Sequence, residues 1–443
     1  MPRHIFSAQQ IKKRITLIAQ STIVKHFFIY SFGSLLLRGI SIFLAPITMS
    51  ILAPKDYGII ALANSFVSIV TVFIGLGLRQ AFSIEYFHCC NQQRKIMINN
   101  MILLYLSFAT PPLLFFSFYP SPINKLIFVG KAPNALILLC LAYSFLYFFV
   151  EFFYQQLTYM TQAFKMTLIQ TSVALLVIGC NLLFLCWFKW GVLSLMAGQV
   201  IGLIIVCIIG FKSYFKKSCH LYLNAQRCLQ TCGQYLKLGL PFIPGVLCGW
   251  IFSSSDRLIL ARYATMHDVG IYSLASVFGQ LFQILILIPT SRAYIPAVLK
   301  KFAQNKNNPL PVERWNRKNM LISMTGLAFV ISIGYLIYKP ILYALLPERY
   351  QPAIGYIWMI LIGYIFLLGE YFASIFIIFK KKATFQATSL ILPSILNVAL
   401  NMLLIPYFNI TGCVIATVVS SATYFGIKLG YNFYLQKNTL STL

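Results

Sequence analysis

The sequence has very few acidic side chains and few charged side chains of either sign. Of its 443 residues, 8 are Asp or Glu, and charged residues make up 10% of the chain against 59% for apolar residues. A soluble globular domain carries about 25% charged residues, so this chain could not cover a surface in water. We therefore expect the bilayer to be its solvent. Each apolar stretch of about 20 residues would cross the bilayer as a helix, whose backbone groups bond within the segment.

Two further patterns are missing. Apolar and polar residues do not alternate strongly, which argues against a membrane barrel. The loop that binds ATP in P-loop proteins is missing too, because Gly130-Lys131 has Lys125 where the first glycine of that loop should stand. The connecting loops are short and carry no paired carboxylates, whereas a membrane polymerase or glycosyltransferase needs catalytic residues on a sizeable loop. We therefore expect no enzymatic activity.

Twelve apolar runs lie between charged breaks or breaks marked by proline and glycine. They predict transmembrane helices at residues 27–52, 57–78, 97–119, 134–156, 166–188, 191–211, 238–261, 270–290, 319–346, 353–379, 384–407 and 410–433. With both termini in the cytoplasm, most of the 35 Lys and Arg residues fall in cytoplasmic segments, as the positive-inside rule requires. The net charge of +27 is thus a topology signal. We expect contacts with anionic membrane lipids and no nucleic-acid binding.

The chain contains an internal repeat. Residues 56–81 and 268–293 share the pattern D-x-G-I-x-x-L-A-x-x-F. Six predicted spans separate the copies, so both halves have the same orientation and are related by a pseudo-two-fold axis along the membrane normal. This predicts an all-α integral membrane protein whose twelve transmembrane helices form two six-helix bundles. The predicted parts are a cytoplasmic basic tail at 1–26, an N-terminal bundle at 27–211, a cytoplasmic linker at 212–237, a C-terminal bundle at 238–433 and a cytoplasmic tail at 434–443.

Four arginines lie inside the predicted spans or at their ends. A charge at the centre of a membrane helix costs about 2.5–3.5 kcal/mol on insertion scales, so it invites a functional explanation. Arg38 lies near mid-membrane on a helix face with several serines, which favours a water-filled cavity over lipid. Arg79 and Arg292 occupy near-equivalent positions of the repeat. They either point into a common lumen or serve as ordinary positive-inside anchors. The fourth, Arg257, follows an aspartate.

Three carboxylates also lie inside the spans, namely Glu151, Asp256 and Glu370. A membrane carboxylate either binds a coupling proton or sodium ion or neutralises a nearby arginine, and the sequence leaves both alternatives open. Asp256 and Arg257 point about 100° apart around their helix, so we expect them to face different partners.

Three long stretches carry a family resemblance. They read LLLRGISIFLAPITMSILAPKDYGIIALANSF, GLPFIPGVLCGWIFSSSDRLILARYATMHDVGIYSLASVF and LPSILNVALNMLLIPYFNITGCVIATVVSS. With the twelve spans they resemble the polysaccharide, or O-antigen (Wzx-type), flippases of the multidrug/oligosaccharidyl-lipid/polysaccharide (MOP) superfamily, over residues 27–430. The resemblance implies two bundles around a cationic cavity that opens alternately to each side of the bacterial inner membrane. It also implies an undecaprenyl-diphosphate-linked oligosaccharide as substrate, for O-antigen or other surface polysaccharide synthesis.

The resemblance assigns roles to the polar residues of the spans. Arginine binds a diphosphate through charge-assisted, often bidentate hydrogen bonds. The expected diphosphate contacts are Arg38 in the centre, Arg79 and Arg292 near the entrance, and Arg257 toward the exit. The expected sugar contacts are Gln280, Gln283 and Tyr147.

Energy, partners and a rival function follow from the same resemblance. We expect no bound cofactor, no metal and a monomer. Antiport of H+ or Na+ at one of the three carboxylates is the working hypothesis, and downhill flipping is the alternative. Expected partners are membrane lipids, a polysaccharide polymerase and a chain-length regulator. The rival function is a multidrug extruder of the same superfamily.

Overall fold

The computed structural model describes residues 47–86, 89–160, 162–212, 233–305 and 308–440, and its regular structure over these ranges is helical. The helices are α1 (Pro54–Gly75), α2 (Leu78–Glu85), α3 (Asn91–Phe118), α4 (Ser121–Ile127), α5 (Asn134–Tyr159), α6 (Ala163–Leu182), α7 (Val192–Gly210), α8 (Ile243–Tyr263), α9 (Met266–Phe282), α10 (Ile288–Gln304), α11 (Leu310–Leu345), α12 (Pro352–Phe379), α13 (Ala383–Thr388) and α14 (Ile391–Leu440). Within these ranges, ten helices are long and apolar enough to cross a membrane. Most of the first predicted span, with Arg38, lies outside the described residues.

The predicted spans and the helices agree in their centres and differ at their ends. The span predicted at 270–290 belongs to one continuous helical stretch from Met266 to Gln304, in which a π-helical turn joins α9 to α10. The apolar run ends at the first charged residues, but Lys and Arg favour helices, so the helix continues past them. Hydropathy therefore locates the membrane segment and not the helix end.

Most of the last two predicted spans lies in the single long element α14, which is broken at Asn409, while the start of the span predicted at 384–407 forms α13. That residue has φ 48° and ψ −125°, outside the helical range. A positive φ is several-fold more common for asparagine than for most other residues. A methyl group on Gly412 would lie 2.5 Å from the carbonyl oxygen of Leu404, so the bare glycine lets the chain turn closely. The break therefore separates the two predicted spans.

The two copies of the repeat pack against each other. In each copy the aspartate caps the start of its helix: Asp56 accepts a hydrogen bond from the backbone N–H of Ala53, and Asp268 accepts one from that of Thr265. The repeated glycines lie where α1 crosses α9. A methyl group on Gly58 would lie 2.2 Å from the Met266 carbonyl oxygen, and one on Gly270 would lie 1.9 Å from that of Pro54. Both halves thus meet backbone to backbone at this crossing.

The two halves touch at several points along α1. In its middle, the Trp250 indole N–H donates to the Ser68 hydroxyl at 2.8 Å. Just beyond its C-terminal end, Gly77 has φ 67°, and a methyl group there would lie 2.1 Å from the carbonyl oxygen of Gly239. The halves are therefore in contact at both ends of α1 and between them.

Candidate functional site

A cavity of about 110 Å³ opens between the two halves, near the C-terminal end of α1. Its described lining comes from α1, α2 and α5 of the first half and from the start of α8 in the second: Thr71, Val72, Ile74, Gly75, Gly77, Arg79, Gln80, Ser144, Tyr147, Phe148, Glu151, Phe242, Ile243 and Val246. The wall from the second half is apolar, and the polar groups come from the first. The charged side chains of the described lining, Arg79 and Glu151, therefore come from α2 and α5.

Arg79 and Glu151 form an ion pair in the cavity wall, with 2.9 Å between a guanidinium nitrogen and a carboxylate oxygen. The Arg79 side chain is 47% exposed and that of Glu151 is 24% exposed, so an anion can still approach the arginine. Gln155, one turn further along α5, donates to the Arg79 carbonyl oxygen at 3.1 Å and to the Ser83 hydroxyl at 2.6 Å. These bonds fix α2 against α5 and hold the arginine backbone in place.

The structure brings together three residues to which the sequence assigned separate roles. Arg79 was expected at the diphosphate, Glu151 as a coupling or pairing carboxylate, and Tyr147 at the sugars, and all three line this cavity. The Tyr147 ring stacks on that of Tyr143, with centroids 5.7 Å apart. Of the two stacked rings, Tyr147 lines the cavity, together with Arg79 and Glu151.

A second polar group is buried in the other half, around Asp256 on α8. Asp256 accepts a hydrogen bond from the Tyr272 hydroxyl on α9 and lies 3.7 Å from the Arg257 guanidinium. Arg257 also donates to the Ser253 carbonyl oxygen at 3.1 Å, and its guanidinium lies 5.9 Å from the centroid of the Tyr272 ring. With side-chain exposures of 11% for Arg257 and 7% for Asp256, the group has little contact with water.

The expectation that Asp256 and Arg257 face different partners is wrong. Both reach Tyr272, one through its hydroxyl and the other over its ring. The 100° between adjacent helix positions applies to the Cβ directions. The long arginine side chain folds back along the helix toward Ser253 and so removes that separation.

A third ion pair joins Glu370 on α12 to Lys428 on α14. The lysine ammonium contacts the Glu370 carboxylate and donates to the Ser374 hydroxyl at 3.0 Å, and the Lys428 side chain is fully buried. Sequence reasoning missed Lys428 because a lysine near the predicted cytoplasmic end of a span reads as a membrane anchor. Thr417 and Ser421 precede Lys428 on the same helix face. This row of polar residues could have indicated that the face points into the protein.

Glu313, at the start of α11, was also missed because it precedes the span predicted at 319–346. It is 3% exposed and accepts hydrogen bonds from the side-chain amides of Asn316, at 3.2 Å, and Asn432, at 3.0 Å. Those amides also donate to the carbonyl oxygens of Phe372 and Ala373. The network therefore joins α11, α12 and α14 through polar contacts.

The remaining predicted residues lie elsewhere. Arg38 is outside the described residues, as is the side chain of Arg292. Gln280 is half-buried and Gln283 exposed near the end of α9, and the described cavity lining includes neither. In the part of the chain that the structure describes, no group of three or more His, Cys, Asp or Glu residues could hold a metal ion.

Residues 23–302 match the family model described as polysaccharide biosynthesis protein. No curated protein matches the sequence. Among solved structures, the chain is similar to the lipid II flippase MurJ in an inward closed conformation, with a TM-score of 0.73 and 16% identity over 93% of this chain and 89% of that one. An inward-facing multidrug resistance MATE family transporter of the MOP superfamily matches with a TM-score of 0.68 and 14% identity, over 94% and 96% of the two chains.

A MOP superfamily transporter from Pyrococcus furiosus matches with a TM-score of 0.57 and 14% identity, over 94% of this chain and 96% of that one. At these identities the likeness shows the fold. The chain has the all-helical, two-lobed architecture of MurJ and the MATE transporters, which the repeat and the twelve predicted spans had indicated. It is a multi-pass membrane protein.

Proposed function

Because the chain belongs to the polysaccharide biosynthesis protein family, we propose that it is a flippase for undecaprenyl-diphosphate-linked oligosaccharides. It would move them by alternating access from the cytoplasmic to the periplasmic leaflet of the bacterial inner membrane, for O-antigen or another surface polysaccharide. Two six-helix bundles that rock about a shared site can expose that site to each side in turn. A diphosphate cannot cross hydrocarbon unaided, so such a lipid needs this kind of protein.

The observation that carries the proposal is the cavity containing Arg79, placed where the two halves meet. The cavity, of about 110 Å³, has room for a phosphate group beside Arg79. We propose that the cavity receives the diphosphate near the predicted cytoplasmic end. The sugars would enter as the halves separate, and the polyprenyl tail would stay in the lipid.

The structural neighbours support lipid flipping and also supply the rival function. One is a lipid II flippase, and another is a multidrug resistance transporter. For the P. furiosus relative, a reversed polarity of the binding pocket suggests a different function, so pocket charge bears on function in this fold. Within the pair of Arg79 and Glu151 the arginine is the more exposed partner, at 47% against 24% for the carboxylate. The cavity therefore offers more of the cation than of the carboxylate, which favours an anionic substrate.

For energy we propose ion antiport through the Asp256 group, with downhill flipping as the alternative. Asp256 is 5% exposed and lies where α8 packs beside α14. On α14, Asn397 and Asn401 are fully buried, and each leaves one amide atom without a hydrogen-bond partner among the described residues. The Asn401 atom is the acceptor Oδ1, and a buried acceptor is expected to have a partner, which a coupling Na+ would supply. The Asn397 atom is the donor Nδ2, which a cation cannot satisfy.

The wider assignments remain proposals. Both termini would be cytoplasmic, the protein would act as a monomer without catalytic chemistry, and its partners would be membrane lipids, a polymerase and a chain-length regulator. The positive-inside pattern is the support for the orientation.

The proposal is tested with purified protein in proteoliposomes loaded with the lipid-linked oligosaccharide that accumulates in a deletion strain. We expect flipping in the wild type and at least a tenfold slower rate in Arg79→Ala, because loss of a charge-assisted bond to phosphate costs about 1.5–3 kcal/mol. Arg79→Lys should recover part of the rate, since lysine keeps the charge and loses the bidentate geometry.

Arg262→Ala is the matched control, because Arg262 is exposed at the end of α8 and outside the cavity. It should flip at the wild-type rate. Equal rates for Arg79→Ala and wild type would refute the role of this arginine. A deletion strain with normal surface polysaccharide and raised drug sensitivity would instead identify an extruder.

A further inference from the structure

The wall of the cavity already contains an anionic side chain of the protein itself. Among its described lining residues, Arg79 is the only basic side chain and Glu151 the only acidic one, and they are 2.9 Å apart. At this distance the carboxylate neutralises the charge of the guanidinium on the side that faces it. A phosphate that binds Arg79 must therefore share the arginine with Glu151 or displace it.

Among the described residues that line the cavity, Glu151 is the one anion available to Arg79. The second half contributes apolar residues to the cavity wall, including Phe242, Ile243 and Val246. The described lining from α1 is uncharged, with Thr71 as its polar side chain. On its own helix Glu151 has the tyrosines Tyr143 and Tyr147 nearby, which offer neutral hydroxyls. Arg79 thus has two alternative partners in this cavity, Glu151 and an incoming anion.

The exchange between those partners would involve side chains alone. Gln155 and Tyr159 on α5 both bond to Ser83 on α2, and Gln155 also bonds to the Arg79 carbonyl oxygen. These contacts keep the backbones of α2 and α5 at a fixed spacing while the Arg79 guanidinium stays 47% exposed to the cavity.

We propose that Glu151 is an internal substitute for the substrate phosphate, displaced from Arg79 when the lipid diphosphate binds and returning to Arg79 when it leaves. This inference rests on the proposed function. The carboxylate weakens substrate binding, because the pair must break before the phosphate gains the arginine. It also speeds release, because its return replaces the departing phosphate on the guanidinium. Glu151 thus keeps a flippase from holding its polyanionic cargo too tightly.

The test is equilibrium binding of radiolabelled undecaprenyl diphosphate to the purified full-length protein, together with the turnover of flipping at saturating substrate. Glu151→Gln keeps the side-chain shape and removes the charge. We expect it to bind about fivefold tighter, the upper range for a partly exposed ion pair, and to turn over more slowly because release becomes limiting. Glu151→Asp, one methylene shorter, should fall between Gln and the wild type in both measurements.

Glu85→Gln is the matched control, because it removes a carboxylate from α2 that does not line the cavity. It should leave binding and turnover unchanged. Binding that is unchanged or weaker in both Glu151 variants, with wild-type binding intact, would overturn the inference and leave the proposed function standing. Absence of binding and flipping in the wild type would instead remove the proposed function itself. The Asp variant keeps the test decisive if the Gln variant does not fold.

Discussion

Three ion pairs of Arg or Lys with a carboxylate lie inside the described helices, and they differ in how far water reaches them. Arg79 and Glu151 are partly exposed, whereas the pairs of Asp256 with Arg257 and of Glu370 with Lys428 are buried. A partly exposed pair is weak enough to exchange with a substrate. A buried pair is not readily opened, since removing one partner leaves an uncompensated charge in a poorly solvated interior. The exposed pair therefore suits binding, and the fully buried Lys428 with Glu370 suits stabilisation of the second half.

The Glu370 and Lys428 pair gives a stability prediction at this scale. Lys428→Ala should destabilise the purified protein by about 3–5 kcal/mol, because it strands the Glu370 carboxylate. Lys428→Met combined with Glu370→Gln should cost much less than the single variant, since both charges are gone. Thermal and denaturant unfolding in detergent micelles would measure the difference. Lys437→Ala, an exposed lysine on the same helix, should change stability by less than about 0.5 kcal/mol. Strictly additive losses would contradict this account.

The sequence singled out charges that lie well inside an apolar run and overlooked charges near its ends. Glu151, Asp256 and Glu370 stood out for that reason. Lys428 and Glu313 did not stand out, because a charged residue near the end of a span is ordinarily interpreted as a membrane anchor. Only the fold shows that both are buried. The sequence also did not reveal that Arg79 and Glu151 are partners. They lie 72 residues apart in the chain, and only the packing of α2 on α5 brings them together.

At the scale of helices, the repeated D-x-G-I pattern has a physical explanation. The aspartate satisfies the free N–H groups at the start of α1 and α9, and the glycine lets the two helices cross at backbone contact. The sequence predicted the repeat and its symmetry. It did not predict that the copies touch each other. Two copies related by a two-fold axis can lie far from the axis or next to it, and only the packing of the helices shows that these copies meet at the axis.

The crossing predicts a position-specific effect of alanine. Gly270→Ala should destabilise the protein by about 1–3 kcal/mol, since its methyl group would lie 1.9 Å from the backbone carbonyl oxygen of Pro54, which cannot move aside as a side chain would. Gly249→Ala, on α8, meets nothing within 4 Å. It should be neutral or stabilising by up to about 1 kcal/mol, because alanine favours helix over glycine. Unfolding midpoints of the two variants check this, and equal effects would argue against backbone contact at the crossing.

For the whole molecule, alternating access requires the two halves to separate at the ends where they now touch. Arg349, between α11 and α12, donates to the carbonyl oxygens of Met49 at 2.7 Å and Ser50 at 2.6 Å. The neighbouring Tyr350 is fully buried and donates through its hydroxyl to Leu52 at 3.0 Å. These bonds join the two halves at the predicted periplasmic end. An outward-open state must therefore break them.

Crosslinking at that contact should stop transport. In a background that lacks the 11 native cysteines, Ser50→Cys with Arg349→Cys can be joined by a short reducible thiol crosslinker. We expect flipping to fall at least tenfold after crosslinking and to recover on reduction, because the halves can no longer separate there. The matched control is Tyr343→Cys with Gln351→Cys, two positions in the second half whose residues already share a 3.3 Å hydrogen bond. Its crosslink should leave flipping unchanged. Undiminished flipping with the first crosslink in place would show that this end of the molecule need not open, and alternating access between the two halves would then fail as the mechanism.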